Sequence, residues 1–279
     1  MVPLKTLIQQ SKVLISARHI NARKVKITQQ KKMGKRIIQL ITSRHFANNP
    51  VGLIGVPLAN GQPRGGVDLG PGILRDSGLV EQLKRNNRNV TDLGDVEVQV
   101  FQEPKGKIRK PKGVGLNNET LSEKVKKALL AYHTVVNLGG DHSMAMGSIA
   151  GHSASLFGKS KPAVIWVDAH ADINTPESSM SGNLHGQPVS FLMEDFQQNR
   201  IQLSGFDWLD PCISPADIAY IGLRDIDPAE IEYLKRYFLY FDHFMNKLIQ
   251  AEHFVLYIAR RTRTGNCIRY ATVYFTCRS

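Results

Sequence analysis

Two short polar clusters carry the chemistry in this sequence. Asp168, His170 and Asp172 stand at i, i+2 and i+4, and His142 lies in the run Gly139-Gly140-Asp141-His142-Ser143. In extended backbone, residues two apart point to one side, so the Asp-His-Asp set presents carboxylate and imidazole together. A lone Asp or His is ordinarily a surface or hydrogen-bonded residue; four candidate donors directly after two apolar runs are a different pattern. Two imidazoles with two carboxylates suit Mn, Zn, Fe or Ni better than Mg or Ca. A metal with open positions generates hydroxide at neutral pH. Downstream, Asn174 and Thr175, then Ser181 to Gly186, offer amide, hydroxyl and imidazole groups without Lys or Arg. Such groups orient a small polar substrate. His185 reads either as a proton donor or shuttle, or as a structural loop histidine.

The elements that must position these groups follow from periodicity. Val51–Val56, Thr134–Leu138, Ala163–Val167 and Ile218–Gly222 are apolar runs with strand length. Val90–Leu93 and Val96–Phe101 are weaker strand candidates. Helical spacing occupies 73–88, 119–132, 143–154 and 187–195, whereas 61–72 and 105–112 read as loops. Alternating strands and helices imply an α/β fold with a parallel sheet. Such sheets place their chemistry beyond the carboxyl ends of the strands, where both polar clusters fall.

Composition narrows the function classes. The chain has 279 residues and a net charge of +12. Residues 1–50 hold 11 Lys/Arg and no acid, residues 51–236 have a net charge of −3, and residues 237–279 have +4. The basicity sits at the ends. No basic motif interleaved with aromatics occurs, so no nucleic acid partner is expected. No run of about 18 apolar residues exists, so no membrane insertion is expected. Three cysteines are too few and too scattered for a disulfide framework or zinc cluster. The basic, acid-free first 50 residues have the composition of a mitochondrial transit peptide. A disordered basic tail or upstream coding sequence fits the same composition. A mitochondrial location is the expectation, with the cytoplasm as alternative.

These motifs resemble the arginase family of ureohydrolases. The matching stretches are 139–143, Val167 to Thr175, and Ser181 to Val189. Ile54-Gly55-Val56-Pro57 with Gly61 to Val67, and Tyr220 to Glu230, fit the same family. The resemblance runs from about Val51 to about Tyr233. It implies a three-layer α/β fold of the arginase/deacetylase type, with a parallel sheet flanked by helices. It also implies manganese-dependent hydrolysis of L-arginine to L-ornithine and urea by a hydroxide bridging two Mn ions. Carried over, Asp168 bridges both metals, His142 and Asp172 complete one site, and His170 joins the other. His185 matches the proton shuttle. Asn174 and Ser181 match residues that hold the substrate α-carboxylate. Asp227 matches the carboxylate that engages the α-amino group, with Glu230 close to that end. The Asn174 and Ser181 pattern favours arginine over agmatine. Family arginases are commonly trimers, so a homo-oligomer is implied.

The sequence also departs from the family. The later Ser-Phe-Asp-x-Asp-x-x-Asp-Pro stretch, whose aspartates complete the binuclear site, is not found. Phe241-Asp242-His243-Phe244 begins similarly but lacks the Asp-Pro. The organisation expected is therefore a basic extension over 1–50, an arginase-like domain over 51–236 with an incomplete C-terminal side, and a divergent tail over 237–279. An amphipathic helix over 237–258 and a disordered tail both fit that composition. One metal keeps His142, Asp168 and Asp172; the other keeps His170 and Asp168. At most one weakly held Mn and strongly reduced activity are expected. The alternatives are a non-catalytic member that associates with full-length subunits, or another ureohydrolase such as agmatinase.

Overall fold

The structure, a computed structural model, describes residues 50–85, 89–199, 202–238 and the backbone of 271–275. The basic extension and the segment 239–270, with its Phe241-Asp242-His243 run and most of the helix expected over 237–258, lie outside the described residues. The chain divides into two compact units, one including 73–88 and the other 49–72 with everything from 89 onward.

In the smaller unit the helix expected over 73–88 is two helices. The first, α1 (Gly70–Asp76), starts in the larger unit, and α2 (Leu79–Arg85) buries Leu79 and Leu83. Gly78 separates them with φ of +82°, a left-handed conformation that ends a helix and suits glycine.

The larger unit is built on parallel strands, as the α/β reading requires. β1 (Val51–Val56) is buried at every position and is the central strand between β2 (Val90–Asp95) and β3 (Thr134–Gly139). A second set centres on β4 (Ala163–Val167), flanked by β5 (Ile218–Ile221) and β6 (Ala271–Phe275). All four pairings are parallel, and β4 runs in unbroken register with both neighbours. A continuous apolar strand such as β1 is what a sheet covered on both faces demands.

Between β2 and β3 runs α3 (Pro111–Ala131), and after β3 comes α4 (Ala145–Ser155). The two helices pack closely because α4 is made of small residues. A Cβ on Gly147 or Gly151 would strike the backbone of Asn118 or Ser122. Asn118 reinforces the contact: its Oδ1 accepts the Gly147 N–H at 2.8 Å while its Nδ2 donates to the Val114 carbonyl at 2.9 Å. α5 (Pro188–Leu192) and α6 (Pro228–Tyr237) complete the described helices of this unit. Among the described residues, no helix is long and apolar enough to cross a membrane.

Two local differences from the sequence reading have clear causes. α3 begins at Pro111, eight residues before the helix expected from position 119. Pro111 sits at the first helical position, where its missing N–H costs nothing. Glu103 reaches across from the preceding loop, and its two oxygens accept the N–H groups of Lys112 and Gly113 at 2.8 Å each. The strand expected over 96–101 does not form. Asn117 takes the ladder's place: its Oδ1 accepts the Gln99 N–H, and its Nδ2 donates to the Gln99 carbonyl. Glu103→Ala is expected to cost about 1 kcal/mol, the value of a helix cap. A urea-unfolding midpoint unchanged from the parent chain would contradict that assignment.

Candidate metal centre

The carboxyl ends of β3 and β4 are held by backbone bonds that leave little room for side chains. After β3, Gly140 donates to the Val56 carbonyl at 2.8 Å, and Asp141 N–H donates to the Leu58 carbonyl at 2.7 Å. A Cβ on Gly140 would collide with the Leu58 backbone. Asp141 then caps a short 3-10 turn, His142–Met144, its Oδ1 accepting the Ser143 N–H at 2.8 Å. The result delivers His142, 8 % exposed, to the sheet edge. Its ring lies on the buried Trp166 indole, with centroids 4.5 Å apart.

After β4 the chain is pinned from three sides. Arg224 and Asp225 N–H both donate to the Ala169 carbonyl at 2.9 Å. The buried Tyr220 hydroxyl donates to the Ala171 carbonyl at 3.0 Å. Val189 N–H donates to the Asp172 carbonyl at 3.0 Å. Burial, with Glu230 and Asp172 nearby, pushes the Tyr220 phenol well above its ordinary range, so it remains a donor at neutral pH. Held this way, Asp172 adopts φ of +50°, the left-handed region that few non-glycine residues enter.

That conformation decides which donors meet. His142 Nδ1 lies 2.6 Å from Asp172 Oδ2 and 3.3 Å from Asp168 Oδ2. One ligand atom from each of these three residues falls within 4.8 Å of the others, a spacing that suits one cation. His170 turns the other way: its Nδ1 is 3.1 Å from Asp168 Oδ1. The two oxygens of Asp168 therefore face two different imidazoles, the arrangement needed of a carboxylate that bridges two positions. The simple alternation expected for extended backbone does not hold here, because the chain bends after β4 and Asp172 is left-handed. The donor set, imidazole with two buried carboxylates, fits a borderline divalent metal at the first position. At the second, His170 and Asp168 are the donors that the described residues bring together.

The residues expected at the substrate end form a second cluster. Asn174 Nδ2 donates to Asp227 Oδ2 at 2.8 Å, and Asn174 Oδ1 accepts from Ser178 Oγ at 3.0 Å. Glu230, expected close to that end of the pocket, is 2 % exposed. Its Oε1 accepts the Ile173 N–H and its Oε2 the Asp227 N–H, both at 3.0 Å. It thus ties the metal-side loop to the start of α6. Burial, against the opposing pull of those two N–H groups and with the Asp172 and Asp227 charges adding to it, pushes its carboxyl up to about 7. Ser181 lies exposed on the same loop as Asn174, its Oγ accepting the Asn183 N–H at 3.3 Å. His185 sits in the 3-10 turn Leu184–Gly186, with ring Nδ1 2.9 Å from the Gly61 carbonyl.

Asp225 was not among the residues singled out from the sequence. Its Oδ2 accepts from His170 Nε2 at 2.9 Å, which leaves Nδ1 turned toward Asp168. A carboxylate behind a metal-ligating histidine is a common means of orienting the ring. Asp225 lies in the Arg224-Asp225-Ile226-Asp227 run, but its pairing with His170, 55 residues away, has no local signal.

Parallel strands that bring imidazole and carboxylate donors from their carboxyl ends to one buried point define an α/β metal-site scaffold. Comparison with known proteins gives the family. The arginase family profile matches residues 49–273. The chain is 47% identical over 208 residues to arginase, non-hepatic 1, of Xenopus laevis, covering 73% of this chain and 56% of that protein. It is 46% identical over 190 residues to arginase-2, mitochondrial, of Oryctolagus cuniculus, covering 67% and 53%. The arginase structure from Bacillus caldovelox superposes with a TM-score of 0.57 at 34% identity, covering 68% of this chain and 62% of that one. The chain belongs to the arginase family. It spans just over half the length of these curated relatives.

Proposed function

We propose that this chain carries the manganese-type centre of a guanidinium hydrolase whose substrate is L-arginine, and that its activity is strongly attenuated. The observation that supports this reading is the buried His142–Asp168–Asp172 triad, set at the strand ends of an arginase-family fold. A bound divalent cation supplies Lewis acidity and lowers the pKa of water toward neutrality. His142, Asp168 and Asp172 would hold it. The protein's own side chains do the rest. Asn174 presents an amide to the α-carboxylate of the substrate. Asp227 presents an exposed carboxylate to the α-ammonium in a charge-assisted hydrogen bond. Ser181 lines the approach to the same head group. His185 passes a proton to the departing amine. Water adds at the guanidinium carbon, the bond from that carbon to the side-chain nitrogen breaks, and urea and L-ornithine leave.

Attenuation follows from donor count. Catalytic sites commonly keep about three protein ligands. The first position has three, and the second has His170 and Asp168 among the described residues. A single Mn per chain is the proposed occupancy. The two-donor second position also favours a second reading, a non-catalytic family member that associates with full-length subunits. The basic first 50 residues support a mitochondrial address for either.

Urea release by the purified full chain with excess Mn is the test. Turnover far below that of a complete arginase is expected, with arginine preferred over agmatine. Turnover matching a complete arginase would overturn the attenuation, and preference for agmatine would overturn the substrate.

A further inference from the structure

Asp141 lies beside a metal-site histidine, yet its carboxylate turns away from that site. It is buried, 4 % exposed. Its Oδ1 accepts the Ser143 N–H and its Oδ2 accepts the Gly61 N–H, both at 2.8 Å. Gly61 belongs to the glycine-rich loop after β1, 80 residues earlier. On the other side of the same Cα, the Gly61 carbonyl receives two bonds from His185. One comes from the His185 backbone N–H at 3.0 Å and one from ring Nδ1 at 2.9 Å. The approach needs glycine. A Cβ at position 61 would lie 2.5 Å from Asp141 Oδ1 and 2.6 Å from Ser143 Oγ. The 3-10 turns that carry His142 and His185 lie against each other, so the loop is clamped where they meet.

We infer that Asp141 is a positioning residue for His185, acting through Gly61. A carbonyl oxygen only accepts, so Nδ1 of His185 must carry the proton in this bond. The neutral ring is thereby fixed as the Nδ1–H tautomer, with Nε2 as the basic atom. Asp141 holds Gly61 in place, and Gly61 holds the ring at two points, which fixes both orientation and tautomer. This inference rests on the proposed use of His185 in proton transfer, but the arrangement itself is independent of turnover.

The test is nuclear magnetic resonance of the full chain with 15N-labelled histidine, free of paramagnetic metal. The His185 signal is assigned by its loss in His185→Gln. Two-bond couplings distinguish a pyrrole-type Nδ1 from a pyrrole-type Nε2. The parent ring is expected to show the proton on Nδ1. Asp141→Asn keeps one acceptor oxygen and presents an NH2 to the other N–H. It is expected to raise the Nε2–H share by about fivefold, the equilibrium equivalent of one hydrogen bond. Gly61→Ala forces the same contact apart from the other side and should shift the ring in the same direction. A parent ring protonated at Nε2 overturns the inference with no variant needed. So does an unchanged tautomer in whichever variant keeps the parent's far-ultraviolet circular dichroism. If the chain releases no urea while the tautomer still responds to Asp141, the hydrolytic reading fails and the positioning role stands.

Discussion

Asp168→Ala is expected to lower Mn affinity by at least about 100-fold, more than the 10–100-fold typical of residues behind the ligands. The two oxygens of Asp168 face both imidazoles, Oδ2 toward His142 and Oδ1 toward His170. Removing it leaves the first position with His142 and Asp172 and the second with His170. Free Mn, followed by its electron paramagnetic resonance signal during titration of the full chain, measures the change directly. The metal-free chain should be little affected. Asp168 and Asp172 are carboxylates held close to one imidazole, so deleting Asp168 relieves repulsion as well as removing its bonds to the His170 N–H and ring. A stability change within about 1 kcal/mol in chelator is expected. Retained Mn affinity would show that the cluster is an ordinary buried hydrogen-bond network, and a large loss of metal-free stability would show that its role is structural.

Glu230 should give the chain an unusual dependence on pH. Its carboxyl is pushed up to about 7 by burial, against an ordinary value of 4.5. Between those values the folded state binds the extra proton and the unfolded chain does not. Stability from this group is therefore fully present below about 4.5 and is lost as pH rises through 7. A difference of that size corresponds to about 3 kcal/mol. Other carboxylates respond to pH too, so the relevant quantity is the difference between the parent and Glu230→Gln, measured by urea unfolding in chelator. The parent should lose ground to the variant by about 3 kcal/mol between pH 4.5 and 8. Parallel curves would mean that the N–H groups of Ile173 and Asp227 outweigh the burial and keep the carboxylate ionised throughout. The same carboxylate joins the loop that follows Asp172 to the loop that presents Asp227, so its state is felt at both ends of the site.

Much of this site is legible in the sequence because parallel sheets concentrate polar residues at strand ends. Val135, Val136 and Leu138 of β3 and all of Ala163–Val167 are apolar, and the donors begin within a few residues of each strand end. That grammar locates His142, Asp168 and Asp172 without any knowledge of tertiary contacts. It does not predict which oxygen faces which ring. His170 meets the opposite oxygen of Asp168 from the one His142 faces because the chain bends beyond β4 and Asp172 turns left-handed, in a segment pinned by bonds from Tyr220, Val189, Arg224 and Asp225. The first turns of α3 were illegible for a related reason. Pro111 and Lys112 read as the end of a loop, and the groups that cap the helix there belong to Glu103, outside the helix. Asn117 likewise converts an apparent strand at 96–101 into a tethered segment. Strong local periodicity wins where the contacts are local, and fails where one polar side chain from elsewhere satisfies the backbone.

Asp172 marks a place where selection for chemistry and selection for stability pull apart. An L-residue in the left-handed region costs on the order of 1–2 kcal/mol, less for Asp and Asn than for most. Glycine would adopt the same backbone without that cost. A chain shaped only by the need to stay folded would have every reason to place glycine there, between the fully buried Ala171 and Ile173. The carboxylate that stands there instead gives up that backbone ease and brings its Oδ2 to 2.6 Å from His142 Nδ1, a contact glycine could not make.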